Sequence, residues 1–213
     1  MTTRNLSRRK FLQLSGVTLG AIAITCSGLG YAATRTPKLA APELAFEKDN
    51  AMNKRILITY ATRAGSTSEI AAALGETLAE RGFSVDVESV KTNPSLNNYD
   101  AVILGSAVRM SNWLPEMVDF IKKNQEALNQ IPVAFFTVHM LNLGEDEVSR
   151  AARLAYLNSV RPLLSPVDEA FFAGKIDLET LSFVDRLMVK MVKSPIGDFR
   201  DWAEIRTWPT VMF

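Results

Sequence analysis

The stretch "RILITYATRAGSTSEIAAALGETLAERG", Arg55 to Gly82, decides the fold. Arg55–Tyr60 is a short apolar run of the kind that fills a buried strand, and Ile70, Ala73, Leu74, Thr77 and Leu78 share one face of a helix over Ser66–Arg81. Between run and helix lies Thr62-Arg63-Ala64-Gly65-Ser66-Thr67, a loop of hydroxyls around one glycine. The same alternation recurs downstream. Val85–Val90 alternates apolar residues with Asp86 and Glu88, while Ala101–Gly105, Val133–Val138 and Glu169–Ala173 read as further strands. Pro115–Asn124, Glu145–Asn158 and Leu181–Lys193 read as helices between and after them. Five strands alternating with helices predict an α/β fold with a parallel sheet covered on both faces. Right-handed crossovers leave few arrangements, and the doubly wound order 2-1-3-4-5 is the expected one.

The 213 residues, 47% hydrophobic and 22% charged, suffice for one well-cored domain with an appendage. The appendage is the N-terminus. Residues 1–32 carry Arg4, Arg8, Arg9 and Lys10 with no acid, ahead of an apolar stretch diluted by Gly, Ser and Thr and of small residues around Ala32. This is the layout of an export signal. Ser7-Arg8-Arg9-Lys10-Phe11-Leu12 resembles the twin-arginine pattern S-R-R-x-F-L, with cleavage expected after Ala32 and a periplasmic destination implied. The competing reading is an uncleaved anchor holding the protein to the outer side of the inner membrane, because Phe11 to Gly30 approaches bilayer-spanning length. Twin-arginine export carries folded proteins, often with a cofactor in place. Cys26, the only cysteine, lies inside this signal, so disulfide, CxxC and thiolate-metal chemistry are excluded for residues 33–213. Residues 33–52 contain Pro37, Pro42 and mixed charges and read as a tether, with the domain proper over 53–213. Beyond residue 32 there are 20 basic and 23 acidic residues, a net charge of −3, which argues against a nucleic-acid partner held by phosphate attraction.

In a sheet of this kind ligands sit beyond the carboxyl ends of the strands, near the switch point between the first and third. That places three loops together: Thr62–Thr67, Ser106–Trp113 and Val138–Leu143. The first lacks the three glycines of a dinucleotide loop and the Gly-Lys-Ser/Thr ending of a P-loop. A receiver domain would need acids after the first and third strands; Lys175 fits such a site, but the acids are missing. Hydroxyls and backbone N–H groups at a helix start suit one terminal phosphate. An alternative is purely local, since Ser66-x-x-Glu69 has the spacing of a capping box.

"YATRAGSTSEIA" after an N-terminal strand resembles the phosphate loop of the flavodoxin-domain family, T-x-T-G-x-T, with Ala64 where the middle threonine would stand. "YDAVILGSAVRMSNWLPEMVDFIKKN" is similar to the third strand, flavin loop and following helix of that family. Its G-S-A-x-R pattern, together with "FFAGKIDLETLSFVDRLMVKMV", is most similar to the menaquinone-dependent protoporphyrinogen IX dehydrogenase branch. The resemblance covers roughly residues 53–206. It implies a flavodoxin-like fold with FMN as cofactor. Thr62, Arg63, Ala64, Gly65, Ser66 and Thr67 would hold its phosphate. Ser106, Ala107, Val108, Arg109, Met110 and Trp113 would flank the ring, with Thr137, Val138 and His139 at its other edge. A flat flavin favours stacking on an aromatic such as Trp113.

Plainer readings stand beside these. Trp113 precedes Leu114-Pro115 and fits a hydrophobic staple equally well. His139, the only histidine, is placed near the pocket without a proton-transfer role, and Arg109 serves either a reduced flavin, a substrate carboxylate or the rim. The apolar residues of Leu181–Lys193 read as core packed on the sheet rather than as a membrane face, and Trp202 and Trp208 read as a surface contact or as cover for the last helix. Two functional classes follow from the resemblance: an FMN-dependent dehydrogenase taking a porphyrinogen and passing electrons to quinone, and an exported carrier docking a redox partner protein. The export signal favours the second, because late haem synthesis is intracellular. A non-redox interaction module on the same fold is the third.

Overall fold

A computed structural model describes residues 43–46, 53–179 and 181–211; the stretch read as an export signal and most of that read as a tether lie outside them. The strands are β1 (Leu44–Phe46), β2 (Arg55–Ala61), β3 (Ser84–Ser89), β4 (Ala101–Arg109) and β5 (Asn112–Trp113), followed by β6 (Val133–His139), β7 (Asp168–Ala173), β8 (Lys175–Ile176) and β9 (Gly197–Asp198). The helices are α1 (Ser66–Glu80), α2 (Pro115–Lys123), α3 (Gln125–Leu128), α4 (Glu147–Ala155), α5 (Phe183–Met191) and α6 (Trp202–Thr207). The sheet runs β1-β3-β2-β4-β6-β7, and all neighbours from β3 to β7 pair in parallel. Stripped of β1, this is the expected 2-1-3-4-5 order.

The two-residue period of a strand sends successive side chains to opposite faces, so a parallel sheet needs two cores. Along β2, Ile56, Ile58 and Tyr60 pack against Ile70, Leu74 and Leu78 of α1. Leu57 and Ala61 point the other way, toward Met117, Phe120 and Ile121 of α2 and Leu157 beyond α4. The strand reads as one continuous apolar run because both of its faces are covered.

Two expectations change. Leu44–Phe46, within the stretch read as a tether, pairs antiparallel with β3. The alternating Leu-Ala-Phe lets Phe46 settle on α1 at Gly75, where a β-carbon would lie 3.0 Å from the ring. The helix expected over Leu181–Lys193 forms as α5, started by Ser182, whose hydroxyl accepts the Asp185 N–H. None of its nine residues is buried. It is not core packed on the sheet; it belongs to an excursion between β8 and β9, which pair only with each other. Trp208 packs on β7 rather than marking a free surface: its indole N–H donates to Asp168, and its ring meets Phe172 edge-on at 5.7 Å.

Candidate functional site

The carboxyl ends of β2, β4 and β6 open into one cleft. Its first wall is the loop after β2. Gly65 is the residue before α1, with φ 90° and ψ −21°, in the left-handed region that side chains other than glycine enter at a cost. Its N–H donates to Thr62 Oγ1 at 3.0 Å, closing the turn, and its carbonyl accepts from the Ser68 N–H and hydroxyl. No side chain caps the helix. The capping-box alternative is therefore not what the chain builds: Ser66 is already the first helical residue, and Glu69 pairs with Arg200 instead of reaching back. Thr67 is fully buried, yet its hydroxyl has no hydrogen-bond partner among the described residues. An uncapped helix start beside an unpartnered buried hydroxyl is an arrangement that an anion would complete. Arg63 does not supply a free charge, because Glu116 accepts from its guanidinium at 3.0 Å.

The second wall is the end of β4. Ala107, Val108, Arg109 and Met110 line the cleft as expected, joined by Ser111. Met110 and Ser111 both have positive φ (50° and 58°), forming a tight reversal of the primed type between the paired Arg109 and Asn112. That reversal brings Trp113 back onto the sheet. Its side chain is only 2% exposed, 5.0 Å from the Phe135 ring, and its indole N–H donates to Thr137 Oγ1 at 2.9 Å. The stacking role expected for Trp113 is thus corrected: it is a core residue beneath the cleft. Thr137 and Ser106 belong to the same buried layer. The Ser106 hydroxyl accepts from the Leu114 N–H and donates to the Ala107 carbonyl, so neither residue reaches the cleft wall.

The third wall carries Val138 and His139, with Met140, Leu141 and Tyr156. His139 is 4% exposed, and its Nδ1 lies 2.8 Å from the Leu141 carbonyl. A carbonyl only accepts, so Nδ1 carries the proton and the ring is held in one tautomer. Burial pushes the imidazole below its usual 6.5; the Leu141 hydrogen bond opposes this, and Arg153 adds to it. Below 6.5 the unfolded chain takes up a proton that the folded chain refuses, so stability falls with falling pH until the folded value is passed. Urea midpoints measured between about pH 7.5 and pH 5.5 are expected to fall for the wild type and to change less for His139→Asn, which still offers Leu141 a donor.

The fourth wall was not anticipated. Lys175, Ile176, Leu181, Asp185, Met188 and Val189 close the cleft from the side of α5. Arg109 ties the helix down, forming an ion pair with Asp185 at 3.2 Å and donating to the Met188 sulfur at 3.5 Å. The signal was present in the sequence as apolar residues on more than one face of this helix, a pattern that a helix packed only on the sheet does not need. Of the residues expected to hold a ligand, ten line the cleft, from Thr62, Arg63, Ala64 and Ser66 to Val138 and His139; Gly65 and Thr67 stand at the helix start behind them.

The chain matches the Flavodoxin domain family over residues 57–202. Protoporphyrinogen IX dehydrogenase (quinone) of Escherichia coli strain K12 is 28% identical, over 71% of this chain and 90% of its own. A protein of the same description from Leishmania major is 25% identical over 71% of each chain. A flavodoxin from the domain Archaea superposes with a TM-score of 0.42 at 20% identity, covering 65% of this chain and 96% of its own. The family match spans most of the sheet, from the third residue of β2 to the first of α6, and on it rests the conclusion that the chain belongs to the flavodoxin domain family.

Proposed function

We propose that the chain binds FMN and works as an oxidoreductase of the protoporphyrinogen dehydrogenase kind, moving electrons from a porphyrinogen to a quinone. The observation that carries the reading is the pairing of an uncapped helix start with the unpartnered Thr67 hydroxyl at one end of an apolar cleft. Thr62, Ser66, Thr67 and the first N–H groups of α1 would hold the phosphate, and Ala107–Met110 with Val138 and His139 would border the ring. The flavin, when bound, supplies the electron-accepting chemistry. The protein's share is binding and exclusion of water. Met188, Val189 and Leu181 form an apolar wall beside the ring site, and Lys175 is the cation on the lining that suits the carboxylates of a porphyrinogen, Arg63 and Arg109 being held by Glu116 and Asp185. Similarity to the Escherichia coli enzyme over nine-tenths of that enzyme's length supports the choice of substrate.

A second reading is favoured by Ser7-Arg8-Arg9-Lys10-Phe11-Leu12: export by the twin-arginine route, with the protein acting in the periplasm as a carrier that docks a redox partner. Fractionation of cells expressing the full chain separates the locations. Turnover of protoporphyrinogen with a soluble quinone separates enzyme from carrier.

The flavin itself is tested first. Protein from export-competent cells is expected to show flavin bands in the visible and to release FMN on denaturation. Thr67→Val keeps the shape and removes a hydroxyl that has no partner among the described residues. It is expected to leave the flavin-free protein as stable as the wild type, yet weaken FMN binding by about tenfold, the effect of one charge-assisted hydrogen bond. A colourless wild type that takes up no added FMN overturns the reading.

A further inference from the structure

Helix α5 turns one side to the cleft and leaves the other without a partner among the described residues. Asp185, Met188, Val189 and Val192 line the cleft, which at 100° per residue places the outward side on Phe183, Leu187 and Met191. Those three are 71%, 59% and 71% exposed, spaced four residues apart as one apolar stripe. Arg186 and Lys190 lie on one flank of the stripe and Lys193 follows just past the helix end; the Arg186 guanidinium donates to the Leu181 and Glu179 carbonyls and keeps its charge. The helix holds a single acid, Asp185, and it faces inward to Arg109.

We infer that this outward side of α5 docks on the surface of an anionic lipid bilayer, lying in the interface with Phe183, Leu187 and Met191 among the acyl chains and the cations at the headgroups. The pairing of an apolar stripe with a cationic flank on one short helix matches what such a surface offers, acyl chains below and negative charge beside them. The same face is poorly built for a symmetric contact with a second copy, which would set three cations against three like charges. Among the described residues no helix is long and apolar enough to cross a membrane, so the contact is one of lying on the surface. Docking in this pose sets the cleft one helix diameter, about 10 Å, from the lipid, with α5 as the partition. The inference does not depend on the redox reading, and it concerns a contact separate from any made by residues 11–30.

The test uses the full chain with Cys26→Ser and Leu187→Cys, carrying an environment-sensitive fluorophore at position 187, with Glu126→Cys at the opposite end of the sheet as control. Vesicles of phosphatidylcholine with about one-third phosphatidylglycerol are expected to shift the 187 emission to the blue and expose it to lipid-borne quenchers, while the 126 label stays in water. Replacing Arg186, Lys190 and Lys193 by glutamine is expected to weaken the transition by about a hundredfold in lipid concentration at low salt. A 187 label that remains as wet as the 126 label on anionic vesicles overturns the inference, including the case where the protein sediments with vesicles through its N-terminus alone. Burial of the label without lipid, accompanied by a doubling of mass in light scattering, overturns it in favour of self-association. Burial that requires an added protein does so in favour of a protein partner.

Discussion

Trp113→Ala is expected to lower the free energy of unfolding by about 3–5 kcal/mol, the range for removing a large aromatic from a close-packed core. Trp113 lies among Phe135, Leu104 and Met117 in the core on the α2 side of the sheet, where little can move to fill the space. Its indole N–H bond to Thr137 adds a second loss, because the threonine hydroxyl is fully buried and would be left without that donor. Trp113→Phe keeps an aromatic against Phe135 and gives up the hydrogen bond, so it should cost only about 1–2 kcal/mol. Urea denaturation of the flavin-free protein reads both. The two placements of this residue make opposite forecasts: a tryptophan stacked on a flavin would cost binding and spare the fold, whereas this one costs the fold and leaves FMN affinity of the surviving native protein unchanged. A Trp113→Ala protein that unfolds like the wild type but binds FMN poorly would return Trp113 to the cleft.

What the sequence made legible follows from how far each signal reaches along the chain. Strand β2 and helix α1 are written in adjacent residues, one continuous apolar run and one 3.6-residue period, and the order of the parallel strands follows from crossover handedness. The loop between them is also local, and the rule that ligands sit beyond strand ends sets it beside Ser106–Trp113 and Val138–Leu143; Thr62, Arg63, Ala64 and Ser66 line the cleft. Trp113 was misplaced because its position is set by the reversal at Met110-Ser111, and that pair carries none of the Asn-Gly or Gly chemistry that announces a primed turn. Strand β1 was missed because three residues between prolines and charges carry too little period, and their pairing with β3 is about forty residues distant. Helix α5 was recognised as a helix and misjudged in its packing. Its apolar residues spread over two faces, and only contacts with Arg109, far away in sequence, reveal which face is inward.

Gly65→Val is expected to weaken FMN binding by about a hundredfold while costing the flavin-free fold only about 1–2 kcal/mol. The glycine stands at φ 90°, a conformation in which a β-branched side chain is strongly disfavoured. To relieve the strain the backbone must rotate, and the rotation breaks the Gly65 N–H bond to Thr62 while re-aiming the first N–H groups of α1. Those groups act together on one anion, so their loss is felt as two or so charge-assisted hydrogen bonds of about 1.5 kcal/mol each. The fold itself loses little, because α1 is held along its length by Ile70, Leu74 and Leu78 in the core. Gly65→Asn enters the left-handed region more easily and is expected to fall between the two proteins in affinity. Flavin fluorescence titration against urea midpoints separates the effects. A valine variant that binds FMN as tightly as the wild type would mean that the phosphate is not held at this helix start, and that the unpartnered hydroxyl of Thr67 answers to something else.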